Sequence, residues 1–144
     1  MALYRIWDPQ GKYKDGFLKT YKYWILEISF RQHTLGSFII FAKRKIERIS
    51  ELENAELIEL GEVMKEIEDV VKKQFRADRF NYLQLGNALH HLHFHGIPRY
   101  ASSRKFGGRI WIDKSYGHPP VWKKTETNKK LVIKIKEEIQ KKLR

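Results

Sequence analysis

The run Asn87-Ala88-Leu89-His90-His91-Leu92-His93-Phe94-His95-Gly96-Ile97-Pro98-Arg99 carries three histidines at alternate positions, His91, His93 and His95. Successive side chains on a β-strand point to opposite faces. A strand over residues 90–97 therefore sets these imidazoles on one side, with Leu92 and Phe94 on the other. The apolar side predicts a packed face and the histidine side an open one. Imidazole is a poor space-filler, because a buried ring still needs hydrogen-bond partners. Two chemistries want such a strip. Alternate histidines can offer three nitrogens to one Zn²⁺ and leave a position for water. Or one imidazole attacks phosphorus while its neighbours orient it and handle protons. The strip by itself supports either.

The flanks predict the rest of the fold. Pro98 has no N–H to donate, so the strand should lose its pairing there. Residues 80–85 read as a partner strand, with Gly86-Asn87-Ala88-Leu89 as a tight hairpin connection. Asn81 shares a face with His93 only if that loop has an odd number of residues. Residues 24–30 and 36–42 are β-branched and aromatic, and the short polar break Arg31-Gln32-His33-Thr34 predicts an antiparallel hairpin. Leu57, Leu60, Met64, Ile67, Val71 and Phe75 recur at helical steps. Ser50-Glu51-Leu52-Glu53 has capping-box spacing before them, and Asn54 offers another cap. Residues 109–113 read as a further strand after Gly107-Gly108, and residues 116–122 as a rigid loop. Thr125 or Thr127 caps a last helix with Leu131, Ile135, Ile139 and Leu143 on one face. Residues 1–20, with Pro9, Gly11 and Gly16, read as an N-terminal arm. The expected fold is α+β: an antiparallel sheet, a long helix after the second strand and a C-terminal helix, in one domain over residues 1–144. Trp24, Tyr82 and Phe94 are expected in the core.

Composition narrows the function. The 144 residues include no cysteine, so thiolate chemistry and cysteine zinc sites are excluded. No apolar run approaches membrane-span length, and the N-terminus lacks a secretory pattern, so a cytoplasmic location is expected. The formal charge of +12 favours polyanionic partners. Residues 123–144 hold nine basic and three acidic residues, half of the excess. That basic C-terminal helix could meet nucleic acid, although a solvated helix face is the plainer reading.

The stretch around His91, His93 and His95 resembles the signature of the histidine triad (HIT) family, in the branch where Ile-Pro-Arg follows. Phe80-Asn81 resembles the family's pocket-lining strand. Thr34-Leu35-Gly36-Ser37-Phe38-Ile39-Ile40-Phe41-Ala42-Lys43-Arg44 resembles its glycine-led second strand. The resemblance implies a homodimer that cleaves at the α-phosphate of a nucleoside phosphoramidate or dinucleoside polyphosphate, as hydrolase or nucleotidyl transferase, without cofactor or metal. It implies His93 as the nucleophile that forms a nucleotidyl-histidine. His91 would hold the ring orientation, and His95 would contact phosphate or leaving group. The chain departs from the pattern at Ser37, often histidine, and at Asn87 and Ala88, often Gln and a hydroxyl residue. Asn87 could supply a substitute donor. Asn81 and His118 are further candidate substrate ligands, while His90 faces away from the strip and reads as a surface residue. The other readings are a metal-dependent hydrolase built on the three histidines, and a nucleotide or nucleic-acid binding module with little catalysis. The shortage of nearby carboxylates argues against the metal site.

Overall fold

In the computed structural model, which describes residue 11 and residues 13–144, the two apolar runs after residue 23 pair as antiparallel strands. The described elements are β1 (Phe17–Thr20), β2 (Trp24–Ile28), β3 (Phe38–Ala42), α1 (Asn54–Phe75), β4 (Arg79–Leu83), β5 (His93–Arg99), β6 (Arg104–Phe106), β7 (Arg109–Trp111) and α2 (Lys129–Gln140). Short 3-10 turns occupy Lys14–Gly16 and Ile49–Glu51. The main sheet is antiparallel throughout, in the order β1-β2-β3-β5-β4.

Alternation gives this sheet two different faces. Trp24, Leu26, Phe38, Ile40, Leu92 and Phe94 lie in the core beneath α1. The Trp24 indole N–H donates to the Glu56 carbonyl at 2.9 Å, tying strand to helix. α1 contributes Leu60, Val63, Ile67, Val70, Val71 and Phe75, each removal of such a side chain from water being worth roughly 1.5–3 kcal/mol. Leu57 does not belong to that stripe, since it is 44% exposed. The cap also falls one turn later than Ser50 implies: Glu56 accepts the Glu53 N–H at 2.9 Å and pairs with Arg44. Gly96 faces Phe38 across β3–β5, and any Cβ there would overlap the Phe38 ring.

The expected arm reaches only part of its range. Residues 1–10 and 12 lie outside the described residues, but Phe17–Thr20 is a strand paired with β2, with Leu18 buried. Four residues with Lys19 at the centre show too little apolar alternation to announce a strand. At the other end, α2 buries Val132, Ile135 and Ile139 and is capped by Asn128, whose Oδ1 accepts the Leu131 N–H at 3.3 Å. Thr127 instead ties the chain to the β2–β3 turn, donating its N–H to the Phe30 carbonyl and accepting the Gln32 N–H. Gly107 and Gly108, both at positive φ, form the two-residue turn of the β6–β7 hairpin. Among the described residues no helix is long and apolar enough to cross a membrane.

Candidate active site

β5 begins at His93 rather than near His90. The Leu92 N–H donates to the Ile46 carbonyl at 2.7 Å, which draws residues 84–92 away from β4 and opens the expected tight hairpin into a loop. Leu83 pairs with His95 and Asn81 with Ile97, so Asn81 does share a face with His93.

Each histidine of the strip has a different setting. His91 is buried just before β5, and its Nε2–H donates to the Ala42 carbonyl at 2.6 Å. The His91 carbonyl in turn accepts Nδ1–H of His93 at 2.7 Å. A carbonyl can only accept, so the proton of neutral His93 sits on Nδ1 and Nε2 carries the lone pair. His95 lies against His93, ring centroids 4.9 Å apart. Burial, then the nearby His93, His33 and Arg31, push His95 down to about 3, so it is neutral in ordinary buffers.

Two residues far away in sequence complete the row of rings. Trp122 meets His95 edge-on at 4.8 Å and stacks on His33 at 4.0 Å. The His33 Nδ1 accepts the Lys123 N–H at 2.9 Å, and burial pushes His33 down to about 4. On the other side Phe41 stacks on His93. The rings of His33, Phe41, His93, His95 and Trp122 wall a cavity of about 360 Å³ whose other boundaries include Glu27, Phe30, Arg31, Ile39 and residues 85–89, while His91 lies outside it. That volume is in the roughly 300–1,000 Å³ range of small-molecule sites.

Geometry bears on the metal reading as well. His91 Nε2 is spent on Ala42 and His93 Nδ1 on His91, which leaves each of these rings a single further nitrogen. Among the described residues no three histidine or carboxylate groups are arranged to hold a metal ion.

The HIT domain family model matches residues 31–102. The chain belongs to the HIT domain family. Solved structures of HIT proteins share its fold at low identity. A hypothetical histidine triad nucleotide-binding protein from Sulfolobus tokodaii superposes with a TM-score of 0.68 at 20% identity, over 88% of this chain and 82% of that one. A HIT protein from Sinorhizobium meliloti gives 0.68 at 20%, over 90% and 91%. A Plasmodium falciparum diadenosine triphosphate hydrolase gives 0.65 at 14%, over 89% and 76%. No curated protein sequence matches the chain.

Within this HIT domain the other expected ligands separate. Asn87 lines the cavity. Asn81 and His118 do not: Arg99 holds the Asn81 side chain and the His118 backbone, and the His118 residue is exposed. Arg99 Nη1 donates to Asn81 Oδ1 at 2.6 Å and to the His118 carbonyl at 2.7 Å. Their expected role as direct substrate ligands has no support from this geometry. Glu27, His33 and Trp122 are among the cavity residues that have no site role in the sequence pattern. Glu27 had a signal, as the one acid in an otherwise apolar strand. His33 and Trp122 had none, because the contact joining them spans most of the chain.

Proposed function

We propose that this HIT protein cleaves nucleotides at the α-phosphate through a nucleotidyl-histidine on His93. The observation that carries the reading is the Nδ1–H bond from His93 to the His91 carbonyl, which leaves Nε2 as a lone-pair nitrogen on a ring lining the cavity. In the first step Nε2 forms a bond to phosphorus, and the bond from phosphorus to the leaving group breaks. The electron pair goes with the leaving group, which takes up a proton. Water then attacks the same phosphorus, the phosphorus–Nε2 bond breaks, and the proton that the water loses to solvent replaces the one the leaving group took up, so His93 returns to neutral imidazole. His95, neutral and half-buried, keeps one N–H to donate to a phosphoryl oxygen or the leaving group. Asn87 and Arg31 border the same cavity and offer donors where relatives have a hydroxyl.

The test uses adenosine and guanosine phosphoramidates and a dinucleoside polyphosphate. His93→Ala should lower nucleoside monophosphate release by at least roughly a thousandfold, with the fold retained by circular dichroism. Release by the variant at the parent rate would overturn the assignment.

A further inference from the structure

Among the polar groups that the phosphate chemistry leaves unused, the most deeply placed in the cavity wall is Glu27. Glu27 is 2% exposed, and its Oε2 has no hydrogen-bond partner among the described residues. It pairs with Ile39 on β3, and Ile39 pairs with His95 on β5. His93 belongs to the next row on the same face, with Phe41 and Ile25. Two strand spacings across and two residues along separate Glu27 from His93 by about 12 Å between Cα atoms. That is the reach of a nucleoside monophosphate from phosphorus to the far edge of its base. The walls between are Phe41, Ile39, Phe30 and Leu89, apolar surfaces suited to the faces of a planar ring.

Resting on the nucleotide reading above, we propose that Glu27 receives the base edge and selects guanine. A carboxylate offers two acceptors side by side. Guanine alone among the common bases presents two adjacent donors, N1–H and the N2 amino group. Adenine and cytosine pair one donor with one ring acceptor, and uracil flanks its donor with carbonyls. Burial raises Glu27 to about 8, so near pH 7 it is mostly protonated. Ionising it there costs about tenfold. Each charge-assisted hydrogen bond is stronger than a neutral one by roughly tenfold, so two such bonds outweigh that cost. A neutral carboxyl bound to adenine gains only the weaker pair. The other charged and titratable groups bordering the cavity are Arg31, His33, His93, His95, Tyr13 and Glu126, and the last two already share a hydrogen bond.

Calorimetric titration of the intact protein with GMP and AMP at pH 7, in two buffers of different ionisation enthalpy, decides the matter. GMP should bind roughly tenfold more tightly and release close to one proton, with AMP releasing none. Glu27→Gln should abolish both the preference and the proton release. Equal affinity without proton release overturns the assignment, as does a guanine preference that survives in the Gln variant. The proton count on the parent needs no variant and stands even if Glu27→Gln misfolds. Failure of both nucleotides to bind would remove the nucleotide reading along with this one. Equal binding with His93-dependent hydrolysis would remove only the choice of base.

Discussion

Glu27 and His95 share one cross-strand row, and burial moves their titrations in opposite directions. Both shifts favour the neutral form. For His95 at about 3 and His33 at about 4, the unfolded chain takes up protons first, so stability falls as pH drops below the usual 6.5. For Glu27, raised from 4.5 to about 8, the folded protein holds a proton that the unfolded chain releases. Its stabilising contribution is full below 4.5 and is lost as pH rises through 8. Glu27→Gln removes this second dependence and leaves the first. Its stability should therefore gain on the parent by about 3 kcal/mol between pH 5 and pH 8. Paired thermal melts across that range check it, and a pH-independent difference would mean that Glu27 titrates as it does in water. The same residue shows what single positions reveal in the sequence. The shared face of His93 and His95 is legible because strand alternation is local, whereas His91 precedes β5 and is placed by its bond to the Ala42 carbonyl. Glu27 stood in an apolar run, yet its aim into a cavity depends on β3 and β5 lying beside it.

Elements were more legible than the loops between them. β2, β3, α1 and α2 follow from periodicity and turn residues, because each has a long apolar pattern. Gly86-Asn87-Ala88-Leu89 reads as a tight turn, but the loop spans residues 84–92 because its course is set by Ile46, distant in sequence. The loop after β7 is likewise held from outside, by Arg99. All five guanidinium N–H groups have partners: the Asp113 carboxylate twice, Ser115 Oγ, Asn81 Oδ1 and the His118 carbonyl. The Arg99 and Asp113 side chains are 4% and 3% exposed. Removing one partner of such a pair strands a buried charge. Arg99→Met should cost about 3–5 kcal/mol in denaturant unfolding, and Arg99→Met with Asp113→Leu should recover part of it. If the double variant is no more stable than the single one, the ion pair is not what holds this loop to β5.

Over the whole molecule, the charge of +12 is unevenly useful. α2 buries its apolar side and leaves Lys130 and Lys134 exposed, the expected behaviour of a basic solvated face. Because Val132, Ile135 and Ile139 are core residues, deleting the C-terminal segment would test folding rather than charge. Arg31 and Lys123 lie closer to the chemistry. Arg31 borders the cavity and lowers the His33 and His95 titrations, and the Lys123 backbone is bonded to His33. At about 0.15 M salt the field of an exposed charge fades within roughly 8 Å. Attraction of a polyphosphate substrate should then depend on the nearby charges, Arg31 at the cavity border and Lys123 beside His33, more than on the net charge. For a dinucleoside polyphosphate, kcat/KM should fall as salt rises. Arg31→Gln with Lys123→Gln should flatten that dependence, while Lys130→Gln with Lys134→Gln should leave it within about twofold of the parent. Should the α2 pair flatten the dependence equally, the field of the whole molecule is what draws the substrate in.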